Sequence, residues 1–448
     1  MGPHRKGDSV KRVLVLGAGL VAGPLVRYLL DVEGFEVTVA SRTVAKAEAL
    51  IGGASNGAAL ALDVSDEAAL EKLISEHDLS ISLLPYAHHP TVAAFCVKHR
   101  RQMVTTSYVK DAMQALDAEA KAAGVILLNE IGVDPGIDHM SAMQVIHKIA
   151  DEGGTLVSFT SNTGGLPAPE ANDNPMGYKF SWAPRGVVMA GKNPARYMKD
   201  GQIVDVPGPE LFDHHWPCPI VGFGDLEVYP NRDSMPYIDS YGIGTVKSMF
   251  RGTLRYPGWC KTLKSIVELD LLGEEERSDI AGLTYAKWLA GKIGSDGADL
   301  KGDLSRRLGI EETAKPITDL EWLGLLSDEA ISAKDNTDLD VVASRMLKKM
   351  PYAAGERDML VMQHEFVAQF ADRTEKTTST MVDYGIPNGD SSMSRLVGLP
   401  AAVAARMILQ DKIRMSGVHT PILPEIYEPV LAELATMGVA FTETVETL

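Results

Sequence analysis

The chain has 448 residues, of which 45% are hydrophobic and 23% charged, and 43 basic against 60 acidic side chains give it a formal net charge of −17. Such a length holds about two or three domains with substantial cores, while the acidic balance excludes an extended nucleic-acid or anionic-membrane surface, which would need a basic stripe. Cys96, Cys218 and Cys260 stand far apart without a C-x-x-C pair, and no secretory core or long apolar run is evident. The expectation is a cytoplasmic protein with no metal site, no membrane partner and no nucleic-acid partner.

From Lys11 to about Leu128, short apolar runs alternate with stretches of helical period. Residues 13–16, 36–40, 58–62, 79–84, 103–106 and 125–128 read as buried parallel strands, and 21–30, 44–51 and 67–76 as the helices between them. Alternation at this spacing means βαβ units and a Rossmann-type, doubly wound parallel sheet. From Gly154 the texture changes to an α/β domain, with strands at 156–160 and 226–229 between Gly/Pro-rich loops. Residues 164–182 are too rich in Gly, Pro and Asn for a regular strand or helix. They read as a functional loop, ordered by Tyr178, Phe180 and Trp182. Residues 262–349 are helical in pattern and read as a small insertion, and an Ala-rich helix follows at 393–410. The expected division is a dinucleotide-binding domain over 1–133, a second domain over 134–392, and a segment 393–448 that returns to pack on the first.

The run Gly17-Ala18-Gly19-Leu20-Val21-Ala22 has the G-x-G-x-x-A form and sits between the first strand and the first helix. Gly17 allows the tight turn, Gly19 lets the main chain approach a pyrophosphate, and Ala22 allows close helix packing, with the helix N-terminus facing the anion. The alternative is a plain tight turn. At the end of the second strand, Ser41-Arg42-Thr43 offers no acid for a ribose 2′-hydroxyl; instead Arg42, with the flanking hydroxyls, suits a 2′-phosphate. NADP is therefore the expected cofactor, the alternative for Arg42 being a solvated loop cation. Asp63-Val64 is placed to meet the adenine, unless Asp63 only caps a helix. Leu83-Leu84-Pro85 ends the fourth strand near the pyrophosphate and nicotinamide ribose.

Three elements then end strands on the carboxyl edge where ligands bind in open α/β sheets: Thr105-Thr106-Ser107-Tyr108, Asn129-Glu130-Ile131-Gly132-Val133-Asp134-Pro135-Gly136-Ile137-Asp138-His139, and Gly164-Gly165-Leu166-Pro167-Ala168-Pro169-Glu170. Asp138-His139 has helix capping as its alternative reading. Together with Asp173-Asn174-Pro175-Met176-Gly177-Tyr178-Lys179-Phe180-Ser181-Trp182, Tyr229-Pro230-Asn231-Arg232-Asp233-Ser234, Arg251-Gly252-Thr253-Leu254-Arg255-Tyr256, Ser394-Arg395-Leu396-Val397-Gly398-Leu399-Pro400 and Pro424-Glu425-Ile426-Tyr427, these motifs closely resemble the glutamate-forming saccharopine dehydrogenases across nearly the whole chain.

The resemblance implies a reversible oxidative deamination, in which saccharopine, NADP and water give glutamate, 2-aminoadipate semialdehyde and NADPH. It implies that Ser107, Tyr108, Asp134, Arg232, Thr253, Leu254 and Arg255 contact substrate. Gly19 to Ala22, Ser41, Arg42, Thr43, Asp63, Val64, Thr106 and Ser107 would contact the cofactor. It also makes the second domain a substrate-binding and dimerisation domain and the protein a homodimer. Saccharopine carries three carboxylates, so a net-acidic protein needs fixed cations such as Arg232 and Arg255, whose alternative is an ordinary ion pair. Asp134 and Tyr108 are the expected groups to orient amine and water, with His139 third. Family members often carry Cys where this chain has Thr163, which removes any thiol role there. The competing readings are a sister reductase acting on another amine, of carboxynorspermidine type, a lysine-forming saccharopine dehydrogenase, and a non-catalytic NADP sensor.

Overall fold

The computed structural model describes residues 10–181 and 184–448, without the side chains of residues 184 and 185. The polar N-terminus and Trp182 of the loop motif lie outside the described residues. The chain forms two compact units, one reaching to Asp151 and resuming over Gly389–Phe441, the other comprising Glu152–Asn388 and Thr442–Leu448.

In the first unit, β1 (Lys11–Leu16), β2 (Phe35–Ser41), β3 (Gly57–Ala61), β4 (Leu79–Ser82), β5 (Gln102–Thr105) and β6 (Ile126–Leu128) match the expected strands to within a few residues. The sheet runs Gly417–His419, β6, β5, β4, β1, β2, β3, with every recorded pairing parallel. Both faces are covered by helices, which is why Val13 to Leu16 can be apolar without alternation and fully buried. The helix α1 (Ala22–Leu30) buries Ala22, Pro24, Leu25, Val26 and Leu29 on one side, each large side chain contributing roughly 1.5–3 kcal/mol.

The division between units falls later than expected. Helix Ile137–Asp151 stays with the first unit because its apolar face packs there, and His147 Nδ1 meets the Tyr427 hydroxyl of helix Pro424–Thr436 at 2.7 Å. The returning segment also does not end on the first unit. Strand Thr442–Thr447 leaves to pair antiparallel with Thr374–Tyr384 in the second sheet. Helix Ser392–Leu409, expected as an Ala-rich helix and not as a long apolar run, is long and apolar enough, at 18 residues and mean hydropathy 1.3, to pass as a membrane span by length and composition. Since 78% of it is buried within the protein, it is a core helix.

The second sheet is built around the 13-residue strand Thr155–Pro167, flanked by parallel Ser248–Arg255 on one side and antiparallel Asp358–Gln369 on the other. Gly164 to Pro167 therefore extend a strand rather than open a loop, pairing with Val361, Leu360, Met359 and Asp358. Glycine suits this position because a Cβ on Gly164 would meet the Leu254 carbonyl oxygen at 2.6 Å. The irregular chain that follows is fixed by packing. Tyr178 is fully buried against Trp259 and Phe180, with ring centroids at 4.9 and 5.3 Å. Burial opposes the charge on Lys179, but Glu356 at 2.7 Å and Asp173 at 2.9 Å outweigh it and hold its pKa above the usual lysine value. The expected insertion comprises helices Trp259–Glu268, Tyr285–Ile293, Leu300–Leu308, Lys315–Leu323 and Asp338–Lys349. Buried Asp338 ties it together by accepting from Trp288 at 2.8 Å, Arg277 at 2.9 Å and Lys292 at 3.0 Å.

Helix Ser392–Leu409 crosses α1 where Gly398 sits, and a Cβ there would stand 2.7 Å from the Val21 carbonyl oxygen. Gly398→Ala is expected to lower stability by about 1–3 kcal/mol through overpacking, read as a lower midpoint in urea unfolding. An unchanged midpoint would show that this helix contact is not close.

Candidate active site

Gly17 adopts φ +110°, a region that L side chains avoid, and a Cβ on it would stand 3.1 Å from the Leu83 carbonyl oxygen. Its N–H donates to the Ala40 carbonyl at 2.9 Å, so the turn is fixed to both neighbouring strands. Among the described residues other than its chain neighbours, no atom lies within 4 Å of where a Cβ on Gly19 would be, and Leu20 is 77% exposed beside it. The start of α1 has no acidic residue in its first turn and no side-chain cap. An open glycine shelf below an uncapped helix N-terminus is what a pyrophosphate needs.

At the end of β2, Arg42 is exposed, and among the described residues no carboxylate forms an ion pair with it. Thr43 N–H donates to Ser41 Oγ at 3.3 Å, turning the chain so that the two hydroxyls flank Arg42. Asp63 is engaged locally: its Oδ1 accepts from Ser65 N–H at 3.0 Å and Ser65 Oγ–H at 2.8 Å. Those bonds, with a smaller contribution from the Arg42 charge, hold its pKa below the usual carboxylate value. The helix cap is Asp66, which accepts from Ala69 N–H at 3.1 Å. Val64 lies part-buried beside this turn.

Ser107, Tyr108 and Asp134 are brought together in the first unit. Tyr108 Oη–H points to Asp134 Oδ1 at 3.4 Å. Thr106 stands against Gly132, and Glu130 N–H donates to the Ser107 carbonyl at 3.1 Å. The Glu130 carboxylate accepts from Val109 N–H at 2.9 Å through Oε1 and meets His139 Nε2 at 2.8 Å through Oε2. His139 is thus buried under the turn as a support, and Asp138 accepts from Gly136 N–H at 2.6 Å at the start of the helix. Glu130 has no role assigned from the motif that contains it, and His89, outside every motif, lies buried beneath Ser107 with Nε2 2.8 Å from Ser107 Oγ. Nothing in the spacing of these residues marks them, because the contacts join turns that follow different strands.

In the second unit Arg255 is buried, and its guanidinium carbon lies 4.9 Å from the Tyr178 ring centroid, 5.5 Å from that of Trp259 and 5.9 Å from that of Tyr229. It donates to the Leu254 carbonyl at 2.7 Å, while its Nε has no partner, and among the described residues no carboxylate forms an ion pair with it. Glu227, its register partner on the next strand, is already occupied by Gly258 and Cys260 N–H groups at 2.9 and 2.7 Å. Thr253 lies opposite Thr163, whose hydroxyl is buried and has no partner among the described residues. The Leu254 side chain is fully buried in the core, so it presents only main chain here. Arg232 is exposed, with φ +56°, and its carbonyl accepts from Arg196 N–H at 2.9 Å. Among the described residues no recorded contact joins it to Arg255.

Residues 13–128 match the family model described as the saccharopine dehydrogenase NADP binding domain, and residues 132–439 that of the saccharopine dehydrogenase C-terminal domain. The chain belongs to the saccharopine dehydrogenase family. It is 39% identical over 444 residues to the NADP(+), L-glutamate-forming saccharopine dehydrogenase of Schizosaccharomyces pombe, covering 97% of this chain and 98% of that one. The enzyme of the same name from Saccharomyces cerevisiae is 40% identical, over 95% of this chain and 96% of its own. Similarity to the mitochondrial alpha-aminoadipic semialdehyde synthase of Bos taurus, at 39% identity, covers 96% of this chain but 47% of that longer protein. The solved apo structure of the S. cerevisiae L-Glu-forming saccharopine dehydrogenase superimposes with a TM-score of 0.91 at 38% identity, covering 97% of this chain and all of that one. The first unit is accordingly an NADP-binding Rossmann domain, and its open glycine shelf and unpaired Arg42 fit that cofactor.

Arg42→Ala is expected to raise the NADP dissociation constant about ten- to a hundredfold, the loss of a charge-assisted contact of about 1.5–3 kcal/mol, and to leave NAD within about twofold. Fluorescence titration of the reduced cofactors measures both, and equal losses would remove Arg42 from the 2′-phosphate. A second expectation concerns pH. Burial pushes the His89 pKa down to about 4 from its ordinary 6.5, so between those values the unfolded chain binds a proton that the folded one refuses. Stability is therefore lost as pH falls from 6.5 towards 4, by about 3 kcal/mol from this group. Urea unfolding across that range should show a flatter pH dependence in His89→Gln than in the native protein.

Proposed function

We propose that this chain catalyses the reversible, NADP-dependent oxidative deamination of saccharopine to glutamate and 2-aminoadipate 6-semialdehyde, a reaction of lysine metabolism. The reading is supported by a dinucleotide shelf in the first unit and, separately, by a buried guanidinium in an aromatic setting in the second, and the relatives of matching length carry this activity in their names. The observation that carries the reading is Arg255, desolvated among Tyr178, Tyr229 and Trp259 and lacking a carboxylate of its own. A guanidinium so placed takes a planar carboxylate, of which the substrate has three.

When bound above the Gly17–Ala22 turn, NADP would supply the hydride acceptor for the carbon that bears the secondary amine. The remaining work belongs to the chain. Arg255 holds one substrate carboxylate, and Arg232, exposed and cationic, takes another. Ser107 donates to substrate or cofactor, while Tyr108 and Asp134, already in contact, orient the amine and the water that hydrolyses the resulting imine. Asp134 is suited to hold the proton released from the amine, and Tyr108 to hand one to the departing glutamate nitrogen. His139 supports this turn from below through Glu130. The same reading carries a homodimer in the cytoplasm. The three free, buried cysteines support a reducing location, and light scattering tests the dimer.

The test is NADPH formation from saccharopine at alkaline pH, with NAD run beside NADP. Turnover with NADP is expected. NADPH binding without turnover on saccharopine would move the assignment to a sister amine substrate or to a sensor. Arg255→Gln should raise the saccharopine KM by more than about tenfold, the loss of a charged hydrogen bond of about 1.5–3 kcal/mol, with NADPH affinity unchanged. Arg232→Ala should act in the same direction. An unaltered KM in either variant would remove that arginine from the substrate.

A further inference from the structure

Three hydroxyls surround one buried imidazole below the Ser107 turn. Ser82 closes β4, Thr105 closes β5, Ser107 begins the turn after it, and His89 opens helix His89–Lys98. Ser82 Oγ lies 2.9 Å from His89 Nδ1, Ser107 Oγ 2.8 Å from Nε2, and Thr105 Oγ1 3.4 Å from Nε2. Burial keeps the ring neutral at neutral pH, with a pKa of about 4, so one nitrogen carries a proton and the other a lone pair.

The hydroxyl protons decide which nitrogen it is. Thr105 gives its proton to the Ser82 carbonyl at 2.9 Å and so turns lone pairs toward Nε2. Ser82 is fully buried, and among the described residues its hydroxyl has His89 as its recorded partner. A proton on Nδ1 would bury the Ser82 hydroxyl proton without an acceptor and set a bare Nε2 against the Thr105 lone pairs, both unfavourable in a low-dielectric interior. A proton on Nε2 removes both faults, because Ser82 then donates to Nδ1 while Nε2–H points at the Ser107 and Thr105 oxygens. Ser107 Oγ accepts from the ring, and its own proton is left for something else. Ser107 is part-exposed, so that proton can face a ligand.

We propose that His89 is a positioning residue, whose Nε2–H tautomer fixes the Ser107 hydroxyl as a hydrogen-bond donor to an acceptor oxygen of the bound ligand. That oxygen belongs either to a substrate carboxylate or to the cofactor. The kinetic part of the inference rests on the proposed saccharopine activity; the tautomer does not.

The experiment uses the full chain and the variants H89F, H89Q, S107A and H89F/S107A. Phe keeps the ring volume and removes both nitrogens, whereas Gln can place an amide N–H where Nε2 stands. H89F and S107A are each expected to lower kcat/KM about ten- to a hundredfold, and the double variant should be no worse than S107A within about twofold, because the histidine acts only through that hydroxyl. H89Q should recover most of the loss, which a packing role would not allow. A loss seen in the saccharopine KM with NADPH affinity unchanged assigns the acceptor to the substrate; the reverse assigns it to the cofactor. Losses that multiply in the double variant, or an H89F enzyme as active as the native one, would overturn the inference. Nitrogen NMR of histidine-labelled protein, with His89 assigned by its absence in H89Q, should show Nδ1 bare and Nε2 protonated. The opposite tautomer would refute the inference whatever the turnover. Should the native protein bind NADPH yet fail to oxidise saccharopine, the proposed activity falls and the tautomer alone decides this one.

Discussion

Glu130 makes one rigid body of two turns that the sequence places more than twenty residues apart. Its N–H donates to the Ser107 carbonyl at 3.1 Å, and its carboxylate joins Val109 N–H at 2.9 Å to His139 Nε2 at 2.8 Å. The backbone at Glu130 has φ +57°, a left-handed conformation that costs a non-glycine residue about 1–2 kcal/mol and persists only where surrounding contacts over-determine it. Here they do, since main chain and side chain of the same residue grip the Ser107–Val109 turn from two directions. Tyr108 and Asp134 meet as a consequence. On the proposed reading Tyr108 and Asp134 must be held to a fraction of an ångström for positioning to lower a barrier, and a buried carboxylate with its hydrogen bonds filled would supply that precision without entering the chemistry.

The cofactor side shows why some of this was legible in the residues. Its requirements are local. A positive-φ glycine at 17, an open shelf at 19, a small residue at 22 and a cation at 42 follow one another along the chain, so spacing alone exposes them. Strands β1 and β6 were legible for a related reason: burial on both faces writes itself as an unbroken apolar run. Helical period marked the helices between residues 262 and 349 in the same way, because each carries its own apolar face.

Contacts between distant segments left no such trace. His89, Ser82, Thr105 and Ser107 meet only because β4 and β5 are neighbours and end at the same edge. Glu130 carries no mark of its role in the motif that contains it, and the helix that begins at Ile137 falls by sequence in the expected second domain but packs its apolar face against helix Pro424–Thr436 in the first unit. Gly164 to Pro167 misled in the opposite sense. Their composition argues for a loop, yet the strand Asp358–Gln369 pairs with them throughout, and the close approach of the Leu254 carbonyl needs a residue without a side chain. Local propensity lost there to the hydrogen-bond ladder of the tertiary fold.

Arg255 shows a different conflict, between burial and charge. A buried guanidinium costs several kcal/mol unless a counter-charge repays its lost hydration, and Glu227 on the adjacent strand could have been that counter-charge. Its carboxylate instead accepts the Gly258 and Cys260 N–H groups at the start of helix Trp259–Glu268. Three aromatic faces soften the desolvation of the cation, as weakly hydrated guanidinium permits, but they offer no acceptor to its Nε. A lysine in this setting would lose more hydration and would gain no planar fork. The second unit thus keeps a fixed positive charge unspent inside a protein of net charge −17. An anion that reaches it meets a low-dielectric site whose cost of desolvation was already met in folding, which is the condition under which a single arginine can bind a carboxylate tightly against the field of the whole molecule.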